Sequence, residues 1–202
     1  MKSNFKADLS KEKQLAVLLD AYYQKHLKKY DFERTHDRKQ QLQGIDLVLN
    51  DRLSGIPYYV DEKAQLDYVN ESLPTFAFEL FYEKEGVKKQ GWLFDVSKKT
   101  HFYALVTSIF SDVDNLFTSC NITFVNREKL ILHLSTLGLT RVFFEQLVQD
   151  NRDVNGKFIL EKLCPKKEGC LYFSTQNKAE KPINLILRLS YLEQIGVAKR
   201  LV

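Results

Sequence analysis

The apolar residues of this chain change their spacing near position 40, and that change restricts the folds open to it. From Ser10 to about Lys28, Leu15, Leu19, Tyr22 and His26 recur three and four residues apart, the stripe of an amphipathic helix, with Ser10 placed to cap its first turn. Glu12 lies on the same stripe, three residues before Leu15, where a carboxylate is usually avoided. Beyond Gln41 the apolar runs are short, rich in branched and aromatic residues, and bounded by turn formers. QLQGIDLVLN (41–50) and IPYYVDEKA (56–64) flank NDRLSG and read as a β-hairpin. TFAFELFYE (75–83) follows as a third strand, a charged turn over 84–89 leads into GWLFDV, and HFYALVTSIF (101–110) is another strand.

The second half reads as a strand ending near Val125, a helix capped by Asn126 and stopped by Gly138, and a second helix capped by Thr140. A lysine-rich loop, CPKKEG, then precedes two strands, CLYFS and INLILRLS, and a short helix from Tyr191. A helix, then strands, then helices and strands again, without a repeat or a linker, predicts an α+β protein with a mixed sheet. At 202 residues one domain is expected, with a core over about 10–110 and a C-terminal part over 111–202.

With 44% hydrophobic residues and only 8 Gly and 4 Pro, the composition excludes disordered and collagen-like chains. No apolar run approaches the roughly 20 residues of a membrane helix, and MKSNFKADLSKEKQ is charged where a signal peptide is apolar, so a cytoplasmic protein with no membrane partner is expected. Cys120, Cys164 and Cys170 have neither an even count nor zinc-ligand spacing, and reduced thiols are expected. The four histidines are scattered, and no P-loop or G-x-S-x-G pattern is present. A net charge of +4 permits contact with nucleic acid without requiring it.

The chemistry concentrates on the hairpin. Asp46 follows Gly44-Ile45 on one arm, and Asp61-Glu62-Lys63 ends the apolar run of the other. Side chains alternate along a strand, so Asp61 and Lys63 share a face, Glu62 takes the opposite one, and Asp46 is able to face Asp61 across the ladder. Paired carboxylates repel unless a cation lies between them, and hard cations such as Mg²⁺ take oxygen ligands of this kind. A neighbouring lysine orients a water or offsets negative charge developing on a phosphate. Glu62, turned away, is expected to be solvated or salt-bridged.

Asp46 after a Gly-Ile step, with an apolar strand ending in Asp61-Xaa-Lys63, resembles the PD-(D/E)xK nuclease superfamily, the restriction-endonuclease-like fold. Asp46 matches its first acid, Asp61 the second and Lys63 the motif lysine, although the proline that many members carry before the first acid is missing and Glu62 stands inside the motif. Asp61–Ala64 with Thr75–Leu80, Gly91-Trp92-Leu93 and Thr100–Tyr103 also resembles small uncharacterised bacterial and phage members, over about Ser10 to Val106. The resemblance implies a mixed sheet flanked by helices in a single domain, and a Mg²⁺- or Mn²⁺-dependent enzyme that hydrolyses DNA phosphodiester bonds, with RNA left open. Asp46 and Asp61 would hold the metal and Lys63 would assist the attacking water. Glu79, embedded in an apolar strand, and Glu12, matching an acid that some members carry on the first helix, would be supporting acids. Gln43, Lys98 and Lys99 are candidate substrate contacts, and Lys28-Lys29, Lys88-Lys89 and Lys166-Lys167 are further lysine pairs able to form a phosphate-contacting rim. Many members act as homodimers, because two strands must be cut. The alternative is a non-catalytic member of the same fold that binds nucleic acid or a partner protein.

Overall fold

Leu15, Leu19 and Tyr23, at successive four-residue steps, are buried along one side of α1 (Phe5–His26) and bring that helix down on a sheet. The computed structural model describes residues 5–113, 116–151, 153–176 and 180–202, with side chains from Lys11 onward. Ser10 lies inside α1 and is not its cap, and the inward stripe turns on Tyr23, leaving Tyr22 half-buried and His26 exposed. After β1 (Tyr30–Arg34), Asp37 caps the short α2 (Arg38–Leu42) by accepting from the Lys39 backbone N–H at 2.7 Å. The hairpin follows as β2 (Leu47–Asp51) and β3 (Pro57–Ala64), its turn closed by the Asp51 carboxylate accepting from the backbone N–H groups of Leu53 and Ser54.

Beyond the hairpin come β4 (Thr75–Lys84), β5 (Val87–Gln90), β6 (Phe102–Val113) and β7 (Leu116–Asn126). They are followed by α3 (Arg127–Thr136), α4 (Arg141–Asp150), β8 (Gly156–Phe158), β9 (Gly169–Phe173), β10 (Ile183–Arg188), α5 (Leu189–Gln194) and β11 (Ala198–Arg200). The protein is α+β, with strands arranged β1-β2-β3-β6-β7-β11 in one sheet and β5-β4-β10-β9-β8 in the other. The elements gather into two compact units, neither continuous in sequence. One unit runs through Leu73 and includes Lys99–Val125 and Lys199–Val202; the other comprises Pro74–Lys98 and Asn126–Ala198.

In the first unit β2 is antiparallel to both β1 and β3, whereas β3 runs parallel to β6, so the sheet is mixed. Parallel neighbours need a long connection, and the chain between β3 and β6 is where β4 and β5 of the second unit are inserted. Leu47, Leu49, Val60, Ala104, Val106 and Ile122 are buried with Leu15, Leu19 and Tyr23 in one apolar cluster. Strand β1 falls in a stretch that reads only as polar; its alternation is that of an edge strand, with Asp31 and Glu33 exposed. Gln41 and Leu42, expected to open the first hairpin strand, close α2 and its C-cap region instead, because Gly44 at φ +73° redirects the chain before β2.

In the second unit β10 pairs antiparallel with β4 and β9, and Phe78, Leu80, Leu171, Phe173, Leu185 and Leu187 are buried. Asn126 and Thr140 cap α3 and α4 by accepting from the backbone N–H groups of Lys129 and Phe143, as their positions predict. The charged turn before GWLFDV is narrower than expected: Glu85 and Gly86 make it, and Val87–Gln90 returns as a strand against β4. Gly91 then passes so close to β4 that an added Cβ would lie 2.4 Å from the backbone oxygen of Glu79. Backbone cannot move aside as a side-chain tip does, so Gly91→Ala is expected to cost about 3 kcal/mol. Urea unfolding checks this, and a loss under about 1 kcal/mol would contradict the close approach. Among the described residues no helix is long and apolar enough to cross a membrane.

Candidate active site

The pairing of β2 with β3 ends at Leu47 opposite Val60; Asp46 lies just outside it, on a bend, with its carboxyl close enough to Asp61 to feel that charge. Two local contacts hold Asp46 there. Its backbone N–H donates to the Val60 carbonyl at 2.9 Å, and its Oδ2 accepts from the backbone N–H of Glu62 at 2.9 Å. Just upstream, the buried Thr100 hydroxyl donates to the carbonyl of Gly44 at 2.9 Å and ties that turn to the start of β6. Asp61 is 2% exposed, and the Lys63 ammonium donates to its Oδ1 at 2.5 Å. Its other oxygen, Oδ2, is buried and has no hydrogen-bond donor among the described residues.

The electrostatics follow from this geometry. Burial, and then the negative charge of Asp61, push the Asp46 carboxyl up to about 7, against the pull of the Glu62 N–H and the Lys63 charge. A buried carboxylate oxygen without a donor is costly, and here it belongs to an acid whose neighbour is reluctant to ionise. A proton shared between the two acids relieves the conflict, and so does a cation. The donor set is all oxygen and carries negative charge, which fits Mg²⁺ or Mn²⁺; Mg²⁺ commonly takes one or two protein carboxylates and keeps several waters.

Glu62 points to the opposite face, toward α1. The Arg34 guanidinium donates to both of its oxygens, and the Tyr23 hydroxyl donates to its Oε1 at 2.7 Å. Arg34 also donates to Asp20 at 2.7 Å and to the Ala16 carbonyl at 3.3 Å, so one guanidinium joins β1, α1 and the motif strand. Burial works against the charge of Arg34, but the bonds and charge of Glu62, with those of Asp20, raise its pKa overall. Burial and then Glu62 raise that of Tyr23. The salt-bridged expectation for Glu62 is what the structure has.

Glu12 is exposed, and α1 packs on the face of the sheet that carries Val60 and Glu62, opposite to Asp61. It therefore does not join the pair, because its stripe position near the exposed start of the helix stops short of the core that begins at Leu15. Glu79, half-buried in β4, and Lys98 belong to the second unit. Gln43 and Lys99 are in the first, where the Lys99 backbone N–H donates to the Gln43 carbonyl at 2.8 Å. Among the described residues no three or more His, Cys, Asp or Glu side chains form a metal-binding group, so the carboxylate set is the pair itself. Arg34 and Tyr23 were not legible as partners of the motif; the only signal was the period-two alternation that turned Glu62 away. No family model, curated protein or solved structure matches the chain.

Proposed function

We propose that this protein is a metal-dependent nuclease that hydrolyses DNA phosphodiester bonds in the cytoplasm, as a homodimer when both strands are cut. The observation that carries the reading is the Asp46 and Asp61 pair, with one buried oxygen of Asp61 lacking a donor among the described residues and the ammonium of Lys63 against the other. Asp46 and Asp61 would hold Mg²⁺ or Mn²⁺. Held there, such an ion would supply a counter-charge for the scissile phosphate and would lower the pKa of an attacking water. The chain's own residues do the rest. Lys63, anchored by Asp61, directs its charge beside the pair, where it orients the water or offsets charge on the pentacovalent phosphorus. Asp46, fixed by the Glu62 N–H, keeps its carboxylate aimed at Asp61. Glu62 itself stays out of the chemistry and anchors the strand from behind.

Cleavage of supercoiled and linear DNA in Mg²⁺, in Mn²⁺ and in EDTA tests this, with Asp61→Asn and Lys63→Ala compared after circular dichroism shows that each is folded. Cutting is expected only with a divalent ion and is expected to fall to the metal-free background in both variants. A wild type that cuts neither DNA in either ion would leave a non-catalytic protein that binds nucleic acid or another partner.

A further inference from the structure

Just before β6, His101 is exposed yet its ring is held in a fixed orientation. Its backbone N–H donates to the Tyr59 carbonyl at 2.9 Å, and its Nδ1 accepts from the Tyr59 backbone N–H at 3.1 Å. The ring lies almost parallel to that of Tyr59, at 16° with 5.0 Å between centroids, and Tyr58 meets it edge-on at 6.3 Å. Because Nδ1 accepts, the neutral ring carries its proton on Nε2.

Three features bear on what such a pair does. Tyr59, Asp61 and Lys63 alternate onto one face of β3, which places the stack on the order of 7 Å along the strand from the acid pair. Lys99 is exposed two residues before His101, on a segment zipped to Gln43. An exposed ring already locked in orientation loses little freedom when a third ring stacks on it, so the arrangement is preorganised for a flat aromatic ligand.

We propose that Tyr59 and His101 form a stacking platform for an unpaired base of a DNA strand running into the Asp46 and Asp61 site, with Lys99 meeting the adjacent phosphate. The choice of ligand rests on the nuclease reading; the platform itself rests on the ring geometry. Stacking is sequence-tolerant because every base has a π-face, so the platform holds strand position and does not read sequence.

Fluorescence anisotropy in EDTA tests it without cleavage, using a labelled thymidine oligonucleotide and an abasic oligonucleotide of the same length and charge. Wild type is expected to bind the thymidine strand about ten-fold tighter than the abasic one. His101→Ala is expected to bind both alike, and His101→Trp to keep the preference, with thermal melting showing that both variants are folded. No preference in wild type, or a preference that survives His101→Ala, would overturn the platform. A base preference in a protein that cuts no DNA would uphold the platform and sink the nuclease reading; metal-dependent cutting without any base preference would do the reverse.

Discussion

Arg34→Met is expected to destabilise the protein by about 3 kcal/mol or more, because it removes a cation that satisfies two carboxylates at once. The guanidinium is 18% exposed and the Glu62 carboxylate 14%, so the pair is largely shielded from water. Methionine would leave Glu62 with the Tyr23 hydroxyl as its only side-chain donor among the described residues and would release Asp20 from β1. Removing one member of such a pair costs far more than removing both, since the stranded charge is what is expensive. Arg34→Met combined with Glu62→Gln should therefore recover a large part of the loss, giving a coupling of about 2 kcal/mol in a double-mutant cycle read by urea unfolding. A single variant within about 1 kcal/mol of wild type would mean that the network is ornamental. The consequence for the site is direct: Glu62 lies between Asp61 and Lys63, and its backbone N–H holds Asp46, so a loosened Glu62 loosens all three.

The second prediction concerns pH. With the Asp46 carboxyl at about 7 in the folded protein and near 4 in the unfolded chain, the folded state holds a proton that the unfolded state has lost between those values. Stability from this group is thus fully present below about pH 4, declines as pH rises through about 7, and is flat above. Its size, at about 1.4 kcal/mol per pKa unit, is about 4 kcal/mol. In the Asp46→Asn variant the side chain cannot ionise, and its amide is able to donate to the unpartnered Oδ2 of Asp61. Without metal, Asp46→Asn is expected to be more stable than wild type at about pH 8 and to converge with it near pH 4. Millimolar Mg²⁺ should stabilise wild type at about pH 8, by about 2.7 kcal/mol at a hundred-fold excess over its dissociation constant, and leave Asp46→Asn unmoved. Thermal melting against pH, with and without Mg²⁺, reads both effects. Parallel pH curves for the two proteins would show that burial and Asp61 do not hold a proton on Asp46.

How much of this was legible beforehand depended on the range of the interaction. The hairpin, the shared face of Asp61 and Lys63 and the turning away of Glu62 follow from period-two alternation and a turn, which neighbouring residues encode; Asp46 reaches Asp61 from a bend beyond the paired register, held by Val60 and Glu62. The caps at Asn126 and Thr140 are legible for the same reason: a short polar side chain reaches a backbone N–H three residues on. Where two local signals competed, the sequence was ambiguous. Ser10 looked like a cap because the apolar stripe starts after it, yet the helix continues back through the polar residues to Phe5. Gln41 and Leu42 adjoin an apolar run but finish a helical turn that Asp37 had already capped.

The alternation of the chain by itself determined that Asp61 and its lysine share a face and that Glu62 turns away, because strand pleat is short-range geometry; the bend that brings Asp46 to Asp61 lies outside the paired register. Only the tertiary structure decided that Arg34 belongs to Glu62, that His101 lies flat on Tyr59, that β3 lies parallel to β6, and that Glu79 and Lys98 belong to the unit that does not contain the pair. Those choices join residues distant along the chain through packing and charge. Local spacing carries no record of which distant side chain arrives to satisfy a buried group.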